Sequence, residues 1–254
     1  MGNLKVDIIP CLSDNYSYIV SDGNQALVID PSESKPIINF LEKNNLELKF
    51  VLNTHHHFDH VGGNLELKNK YNILIAGNAN DKERIPGIDI LLNENEKFNF
   101  NMNSIEIINV PGHTSECIAF YIKNENIIFT GDSIFSLGCG RLFEGSPQQM
   151  WNSICKIKRL PNNTKIYCGH EYTHSNLNFC LEHDPNNTHL KDKKIDIEKK
   201  LNSKQPTIPS TIADEIKTNI FLRCDDSEIK HGLGLKDSPD VEVFSKLRDL
   251  KDSF

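Results

Sequence analysis

Four histidines and one aspartate occupy the six positions from 55 to 60, directly after an apolar run at positions 50–52. The segment reads Asn53-Thr54-His55-His56-His57-Phe58-Asp59-His60. Such a polar cluster at the end of a strand would be costly to bury unless another group satisfied it. Neutral imidazole nitrogens and carboxylate oxygens are the usual protein ligands of zinc and related ions. The segment therefore predicts a metal site where a strand leaves its sheet.

Three further candidate ligands follow predicted strands in the same way, each directly after a glycine. They are His113 after the run at 105–110, Asp132 after 127–130 and His170 after 165–168. Strand ends that share one edge of a sheet converge, so residues far apart in sequence can meet around one cluster. The cluster at 55–60 and these three residues offer more ligands than one tetrahedral zinc accepts, so two metal ions are predicted.

The first two-thirds of the chain alternate short β-rich runs with plausible helices, which predicts a layered α/β domain. Strands are predicted at 5–9, 18–20, 26–29, 50–52, 73–76, 105–110, 118–122, 127–130 and 165–168. Helices are predicted at 63–70, 35–43 and 148–159, the last after the start signal Ser146-Pro147. After about Tyr172, charged segments that favour helix lie at 176–182, 190–202, 212–219 and 241–251. These segments predict a small helical domain at the end of the chain.

Composition argues against several function classes. The 28 basic and 35 acidic residues give a net charge of −7, which argues against nucleic acid as a partner. An anionic substrate must then meet a local basic patch. No stretch approaches the roughly 18 apolar residues of a membrane span, and the opening residues lack the features of a signal peptide. A cytoplasmic protein without a membrane partner is therefore expected, and a monomer is the default expectation because the sequence carries no signal of oligomeric state. The seven cysteines contain no CxxC pair, so reduced side chains are expected.

The spacing of the histidine cluster resembles a known signature. Thr54-His55-x-His57-x-Asp59-His60 is similar to the T-H-x-H-x-D-H motif of the metallo-β-lactamase superfamily, and His113, Asp132 and His170 match its later ligand positions in order. The resemblance implies an α/β fold, the αββα metallo-β-lactamase sandwich. It also implies one metal on His55, His57 and His113, a second on Asp59, His60 and His170, and Asp132 bridging both. His56 lies between two of these ligands and is expected to point away from them.

Four other segments indicate one family within the superfamily. They are Asp14-Asn15-Tyr16-Ser17-Tyr18, residues 131–145, Gly169-His170-Glu171-Tyr172-Thr173 and residues 244–252. All of them resemble glyoxalase II, and the similarity covers essentially the whole chain, including the helical tail. The resemblance implies a catalytic domain at residues 1–172 and a C-terminal helical, glutathione-binding domain at residues 173–254.

The glyoxalase II resemblance also implies a set of glutathione-binding positions. By matched position these are Arg141, Phe143, Tyr172, Arg248 and Lys251. Glutathione carries two carboxylates, so local cations would supply an attraction that the net charge of the chain does not. Some relatives have lysine in place of Arg141 and tyrosine in place of Phe143. The second difference removes a hydroxyl, so affinity is expected to differ while the reaction class stays the same.

The implied reaction is hydrolysis of the thioester of S-D-lactoylglutathione to glutathione and D-lactate, the second step of methylglyoxal detoxification. The nucleophile would be a hydroxide that bridges the two metals and is oriented by Asp59, with a metal stabilising the developing oxyanion. A thiolate, with an ordinary thiol pKa of about 8.5, can leave with little protonation, so no general acid is assigned. Zinc is the first expectation for both divalent ions, while iron and manganese accept the same ligands.

Other functions stay open at this point. A persulfide dioxygenase of the same superfamily works with one iron and fewer ligands, but normally lacks a helical tail of this kind. A non-catalytic metal- or glutathione-binding scaffold would have no need to keep every ligand. A lactonase or nuclease explains Arg141, Tyr172 and the terminal cations less well. Without the resemblance, Arg248 and Lys251 would be interpreted as a basic pair on a solvated helix.

Overall fold

The structure, a computed structural model, describes residues 4–254, which form two compact units. The first unit runs to Asn109 and includes Glu116–Gly131, while the second comprises Val110–Ser115 and Asp132–Phe254. The division between residues 172 and 173 came from the family resemblance, and it stays a prediction.

The first unit contains a six-stranded sheet with strands β1 to β6 in spatial order. The strands are β1 (Lys5–Cys11), β2 (Asn15–Ser21), β3 (Gln25–Ile29), β4 (Glu47–Leu52), β5 (Leu74–Asn78) and β6 (Ile90–Leu92). Strands β1 to β3 pair antiparallel, and β3 to β6 pair parallel. Parallel neighbours need crossover connections. Helix α1 (Ser34–Asn44) lies in the connection from β3 to β4, and helices α2 (Phe58–Val61) and α3 (Asn64–Tyr71) lie in the next one.

Helix α1 covers the outer face of this sheet. Ile37 and Leu41, four residues apart on one side of the helix, are fully buried. They belong to a single apolar cluster with Val28 of β3 and Val51 of β4. The helix is capped at its C-terminal end by Asn45, which has a left-handed φ of 52°. Asparagine tolerates this conformation better than most residues do. This packing anchors β3 and β4. The histidine cluster at 55–60 directly follows the end of β4.

A second set of strands in the first unit forms an antiparallel meander. It consists of β7 (Lys97–Phe100), β8 (Asn103–Asn109), β9 (Ile118–Ile122) and β10 (Ile127–Gly131). The ring of Tyr18 on β2 lies 5.2 Å from that of Phe129 on β10. The rings of Phe50 on β4 and Phe98 on β7 meet edge to face at 5.0 Å. The two sheets of this unit therefore pack face to face over an aromatic and aliphatic core.

The second unit is mainly helical. Its elements are β11 (Ile134–Phe135), β12 (Gly138–Cys139), α4 (Pro147–Lys158), β13 (Lys165–Cys168), α5 (Thr173–His183), α6 (Thr188–Asn202), β14 (Ser210–Thr211), α7 (Ile212–Thr218), α8 (Ser227–Gly232) and α9 (Asp240–Asp252). The fully buried Phe221 lies 5.8 Å from Phe179 of α5 and 6.0 Å from Phe244 of α9, measured between ring centroids. These three rings form an aromatic core that ties the terminal helix to the rest of the unit.

The predicted helices and strands are confirmed within a few residues of each end. Helix α4 begins as its start signal indicated, because Ser146 and Gln149 form a capping box with Pro147 in the first turn. The elements that were missed, β6, β7, β11, β12, β14, α2 and α8, span only two to six residues each. A hydrophobic period does not show over so few positions. Among residues 4–254, the structure contains no helix with both the length and the apolar content that crossing a bilayer requires.

Replacing Leu41 by alanine should lower the free energy of unfolding by about 2–5 kcal/mol, because its fully buried side chain would leave a cavity between α1 and the sheet. Leu74→Ala is the matched control, since Leu74 of β5 is 45% exposed and its loss should cost far less. Denaturant unfolding followed by circular dichroism measures both variants. Equal losses would contradict the packing of α1 described above.

Candidate metal centre and active site

The histidine cluster begins where β4 ends. His55 is fully buried two residues after Asn53, and His57 directly precedes α2, which carries Asp59 and His60. Asn53 secures this short helix, because its Nδ2 donates to the carbonyl oxygen of His60 at 3.1 Å. The ring of His55 lies 4.8 Å from that of His57 and 4.2 Å from that of His60. The strand end and one helical turn therefore bring the predicted ligands of this segment together.

Asp30, which was not among the predicted site residues, supports this cluster from the end of β3. Its Oδ1 accepts a hydrogen bond from the backbone nitrogen of Thr54 at 2.7 Å, and its Oδ2 accepts one from Thr54 Oγ1 at 2.6 Å. The same Oδ2 lies 3.0 Å from His60 Nδ1. A buried carboxylate with this many donors is fixed in place.

The network around Asp30 determines how the two buried imidazoles are protonated. Thr54 Oγ1 gives its hydrogen to Asp30 and lies 3.0 Å from His55 Nδ1, so it accepts a hydrogen bond from that nitrogen. His60 Nδ1 faces the Asp30 carboxylate and donates to it. Both rings therefore carry their hydrogen on Nδ1 and would bind a metal through Nε2. This is the usual way in which a carboxylate behind a histidine prepares it as a ligand.

The donors of this cluster fit a divalent metal ion. Two ligand atoms of a tetrahedral zinc, each at about 2.1 Å, lie about 3.4 Å apart. Asp59 Oδ2 lies 3.7 Å from His60 Nε2. Ligand atoms of Asp30, His55 and His60 also lie within 4.8 Å of one another, but both lone pairs of Asp30 Oδ2 are used by Thr54 Oγ1 and His60 Nδ1, and its Oδ1 accepts from the backbone nitrogen of Thr54. We therefore assign Asp30 to orienting the ligands and not to binding the metal.

His56 faces away from its neighbours, which confirms the prediction made for it. Its Nδ1 lies 3.3 Å from Asp81 Oδ2, and its Nε2 lies 3.4 Å from Arg84 Nη1. Asp81 and Arg84 are themselves paired, with Arg84 Nε donating to Asp81 Oδ1 at 2.5 Å. Both ring nitrogens of His56 are thus directed at a separate ion pair.

The second unit brings together the three remaining predicted ligands. Asp132 Oδ2 lies 3.5 Å from His113 Nε2 and 3.2 Å from His170 Nε2. All three side chains are buried. These separations match the distance between two ligands of one ion. The three side chains therefore offer ligand atoms at the spacing that a bound divalent ion requires.

The glycine-rich segment after Asp132 fixes the imidazole of His113. The carbonyl oxygen of Arg141 lies 2.9 Å from His113 Nδ1, so Nδ1 donates to it and a metal would be bound through Nε2. Gly140 is required for this approach. A Cβ at that position would clash with the carbonyl oxygen of Asp132 and lie 3.0 Å from His113 Nδ1.

Two of the predicted glutathione-binding residues are aromatic rings that lie on predicted ligands and also reach solvent. Phe143 is 64% exposed and meets the His113 ring edge-on at 5.2 Å. Tyr172 is 38% exposed and stacks on the His170 ring at 4.6 Å with an interplanar angle of 6°. Each ring offers an apolar surface next to a ligand, where the acyl or peptide part of a substrate could pack.

Arg141 and Arg248 share one carboxylate. Asp252 Oδ1 lies 3.4 Å from Arg141 Nε and 2.9 Å from Arg248 Nη2. Arg141 is largely exposed, whereas Arg248 is only 4% exposed and donates from Nη1 to the carbonyl oxygen of Cys139 at 2.8 Å. Arg248 therefore joins α9 to the segment that precedes Arg141. The interpretation of this arginine as part of a solvated surface pair is wrong.

Lys251 is half-buried beside α5. Its Nζ donates to Ser175 Oγ at 2.9 Å and lies 4.7 Å from the centre of the Phe254 ring. Burial lowers the pKa of this lysine, and the positive charge of Arg248 acts in the same direction. The cation is therefore held at the surface by α5 and by the chain terminus.

Glu215 of α7, also absent from the predicted set, anchors the segment that follows Asp132. This fully buried carboxyl accepts from the backbone nitrogen of Leu137 at 2.8 Å and from Asn219 Nδ2 at 2.9 Å. Asn219 Nδ2 also donates to the carbonyl oxygen of Gly138 at 3.1 Å. Burial raises the pKa of Glu215. No sequence signal marks this residue, because a glutamate in a helix is usually exposed.

Comparison with known proteins divides the chain into two matched parts. Residues 12–170 match the metallo-β-lactamase superfamily, and residues 171–254 match the hydroxyacylglutathione hydrolase C-terminus. A hydroxyacylglutathione hydrolase of Pelagibacter ubique is 52% identical over 253 residues, which covers 99% of this chain and 100% of that protein. The one of Methylococcus capsulatus is 42% identical over 253 residues and 99% of each chain.

Solved structures share the fold at low sequence identity. BLEG-1 B3 metallo-β-lactamase superposes with a TM-score of 0.67 at 21% identity, covering 86% of this chain and 99% of that one. ETHE1 from Myxococcus xanthus gives 0.66 at 20% identity, with 95% and 94% covered. The predicted αββα metallo-β-lactamase fold with a C-terminal helical region is confirmed.

Asp30→Asn should weaken metal binding by about 10- to 100-fold, because the amide cannot accept hydrogen bonds at both of its polar atoms and Thr54 and His60 lose a fixed acceptor. His56→Ala is the matched control, and it should keep its metal with turnover within about tenfold. Metal content per chain after dialysis against a chelator measures the difference. A parent-like metal content in Asp30→Asn would contradict the supporting role, and loss of a metal equivalent in His56→Ala would show that the ligands are misassigned.

Proposed function

This chain belongs to the hydroxyacylglutathione hydrolase family of the metallo-β-lactamase superfamily, and from that membership we propose that it hydrolyses S-D-lactoylglutathione to glutathione and D-lactate. The observation that carries the proposal is the 52% identity to one such hydrolase over 99% of the chain. The match of residues 171–254 separates this function from the alternatives. A metal core alone is shared by many activities, whereas the helical tail is specific to this family model.

The proposed metal centre holds two divalent ions. In this proposal His55, His57 and His113 bind the first ion, Asp59, His60 and His170 bind the second, and Asp132 is shared. The Nδ1 contacts of His55, His60 and His113 support it, since each prepares Nε2 as the binding nitrogen. Zinc is the first candidate, with iron or manganese as alternatives that accept the same ligands.

The proposed chemistry needs few groups from the protein besides the ligands. Divalent ions, when bound, lower the pKa of water and stabilise negative charge on a carbonyl oxygen. In this proposal Asp59 orients the attacking water, and the position of its Oδ2, 3.7 Å from His60 Nε2, supports that role. The sulfur leaves as a thiolate of ordinary pKa about 8.5, so the site needs no general acid.

Glutathione is proposed to lie on the second unit, against Arg141, Phe143, Tyr172 and Lys251, while Arg248, predicted as a fifth contact, would support this surface from its buried position. Phe143 and Tyr172 support this through their exposed rings, and Arg141 through its exposed guanidinium. Arg248 would act through the segment that it holds at Cys139. We also propose a catalytic domain at 1–172 and a glutathione-binding domain at 173–254, a division close to the boundary between the two family matches. A cytoplasmic location and a monomeric state stay predictions.

A substrate panel tests the reaction. The metal-loaded protein should hydrolyse S-D-lactoylglutathione and leave a lactone, a lactam and a phosphodiester essentially unchanged. Asp132→Ala should lose activity together with metal, because two ions would face each other without their shared carboxylate. Free thiol and D-lactate are measured directly. Turnover of another panel member in place of the thioester would refute the proposed substrate, and a fully metallated, active Asp132→Ala would refute the shared role of Asp132.

The double change of Arg141 and Lys251 to alanine tests glutathione binding. Its KM for S-D-lactoylglutathione should rise by at least about tenfold with kcat within a few-fold, because contacts remote from the reacting carbonyl bind ground state and transition state alike. The rise should shrink at high salt. Lys246→Ala is the matched control, since Lys246 is exposed on the same terminal helix. An unchanged KM in a folded, metallated double variant would remove these residues from the substrate site.

A further inference from the structure

Asn15 contacts the predicted ligand Asp59 twice. It is the first residue of β2 and is only 4% exposed. Its Nδ2 donates to Asp59 Oδ2 at 2.9 Å and to the carbonyl oxygen of Asp59 at 3.1 Å. Both hydrogens of one amide nitrogen are therefore used on a single residue.

This double contact fixes the side chain of Asp59. One bond holds its backbone and the other its carboxylate, so rotation about the torsions between them breaks a bond. The carboxylate oxygen that accepts from Asn15 is also the one that lies 3.7 Å from His60 Nε2. An oxygen has two lone pairs, so this atom can accept from Asn15 and still bind an ion beside His60.

Asp59 needs such support because its own element is short. Helix α2 has four residues, too few to be stable by itself. Asn15 in contrast lies on a strand that is buried along its whole length and is paired with Cys11 at the end of the β1–β2 hairpin. The hairpin turn is held in addition by the backbone nitrogen of Leu12, which donates to Glu33 Oε2 at 2.6 Å. Asn15 therefore connects the buried strand β2 to Asp59, a predicted ligand on the short helix α2.

We propose that Asn15 is a positioning residue that orients the Asp59 carboxylate toward the ion it shares with His60. It thereby sets the affinity of the chain for that ion and, through the ion, the rate of hydrolysis. The inference rests on the proposed function, because it takes Asp59 as a metal ligand. The role belongs to the amide of the Asp14-Asn15-Tyr16 segment, to which the reaction described above assigns no function.

The chain provides a matched control in Asn78. This asparagine ends β5, is also 4% exposed, and donates from Nδ2 to the carbonyl oxygen of Glu116 at 2.8 Å and to Glu116 Oε2 at 3.5 Å. Both asparagines are buried and direct one amide nitrogen at the carbonyl and the carboxylate oxygen of a single acidic residue, with the carboxylate contact longer at Asn78. They differ in that Glu116 is not a predicted ligand, so a merely structural role of the amide should give the same result at both positions.

The experiment measures metal binding without substrate. Apo forms of the parent, Asn15→Ala, Asn15→Asp and Asn78→Asp are titrated with Zn²⁺ against a chromophoric chelator, and with Co²⁺ while the visible spectrum is recorded. Both Asn15 variants should bind one of two equivalents about 10- to 100-fold more weakly and show a changed spectrum for that equivalent. Asn78→Asp should bind both as the parent does. In the zinc-loaded enzymes, kcat should fall for the Asn15 variants with KM within a few-fold.

Two results would overturn the role of Asn15. The first is parent-like affinity for both equivalents in Asn15→Ala and Asn15→Asp. The second is an equal loss of affinity in Asn78→Asp, which would show a general loosening of the unit. If the Asn15 variants lose one equivalent while the parent does not hydrolyse S-D-lactoylglutathione, then the positioning role stands and the proposed substrate is refuted.

Discussion

The buried carboxylate of Asp30 is the constraint on which the metal-binding half of the first unit depends. The backbone nitrogen of Asp30 donates to the carbonyl oxygen of Leu52 at 3.0 Å. This bond joins the end of β3 to the end of β4. The φ of 47° at Asp30 lies in the left-handed region, a conformation that costs free energy in a residue other than glycine. The hydrogen bonds from Thr54 and His60 offset that cost. The backbone of Asp30 thus joins the two strand ends. Its carboxylate determines the tautomer of His60 directly and that of His55 through Thr54.

The second unit orients its ligands by backbone groups instead. His113 donates to the carbonyl oxygen of Arg141, and the segment that carries this carbonyl is held by Arg248 at Cys139 and by Glu215 at Leu137. Residues of α7 and α9 therefore hold the segment that orients His113, a predicted ligand. These contacts give a physical reason why a helical region of this kind accompanies the predicted metal ligands in one chain.

The sequence identified the predicted metal ligands, which the structure brings close together within each unit, but it did not identify the residues that hold them. His55, Asp59 and their partners stand out because clustered histidines at a strand end have no ordinary structural use. Asp30 and Asn15 carry no such signal, since one aspartate after a strand or one asparagine before one is typical of turns. Arg248 was predicted to bind glutathione from the family resemblance, and neither the resemblance nor the spacing of basic residues on the helix reveals that its side chain is buried. The contacts of these residues depend on tertiary packing, which the local hydrophobic periodicity of the sequence does not reveal.

The predicted glutathione site has a further physical consequence. A chain of net charge −7 attracts an anion only through local cations, yet Arg141 is already paired with Asp252 and Lys251 with Ser175. The contact of Arg141 with Asp252 uses only its Nε, at 3.4 Å, and both side chains are largely exposed. A guanidinium has five N–H donors, so its Nη groups could pair with a glutathione carboxylate while Asp252 stays in place. Asp252 would lower the gain, because its negative charge lies beside the incoming carboxylate. The affinity for glutathione therefore depends on how closely the substrate carboxylate approaches the two Nη groups, and a bidentate pair would offset the nearby negative charge best.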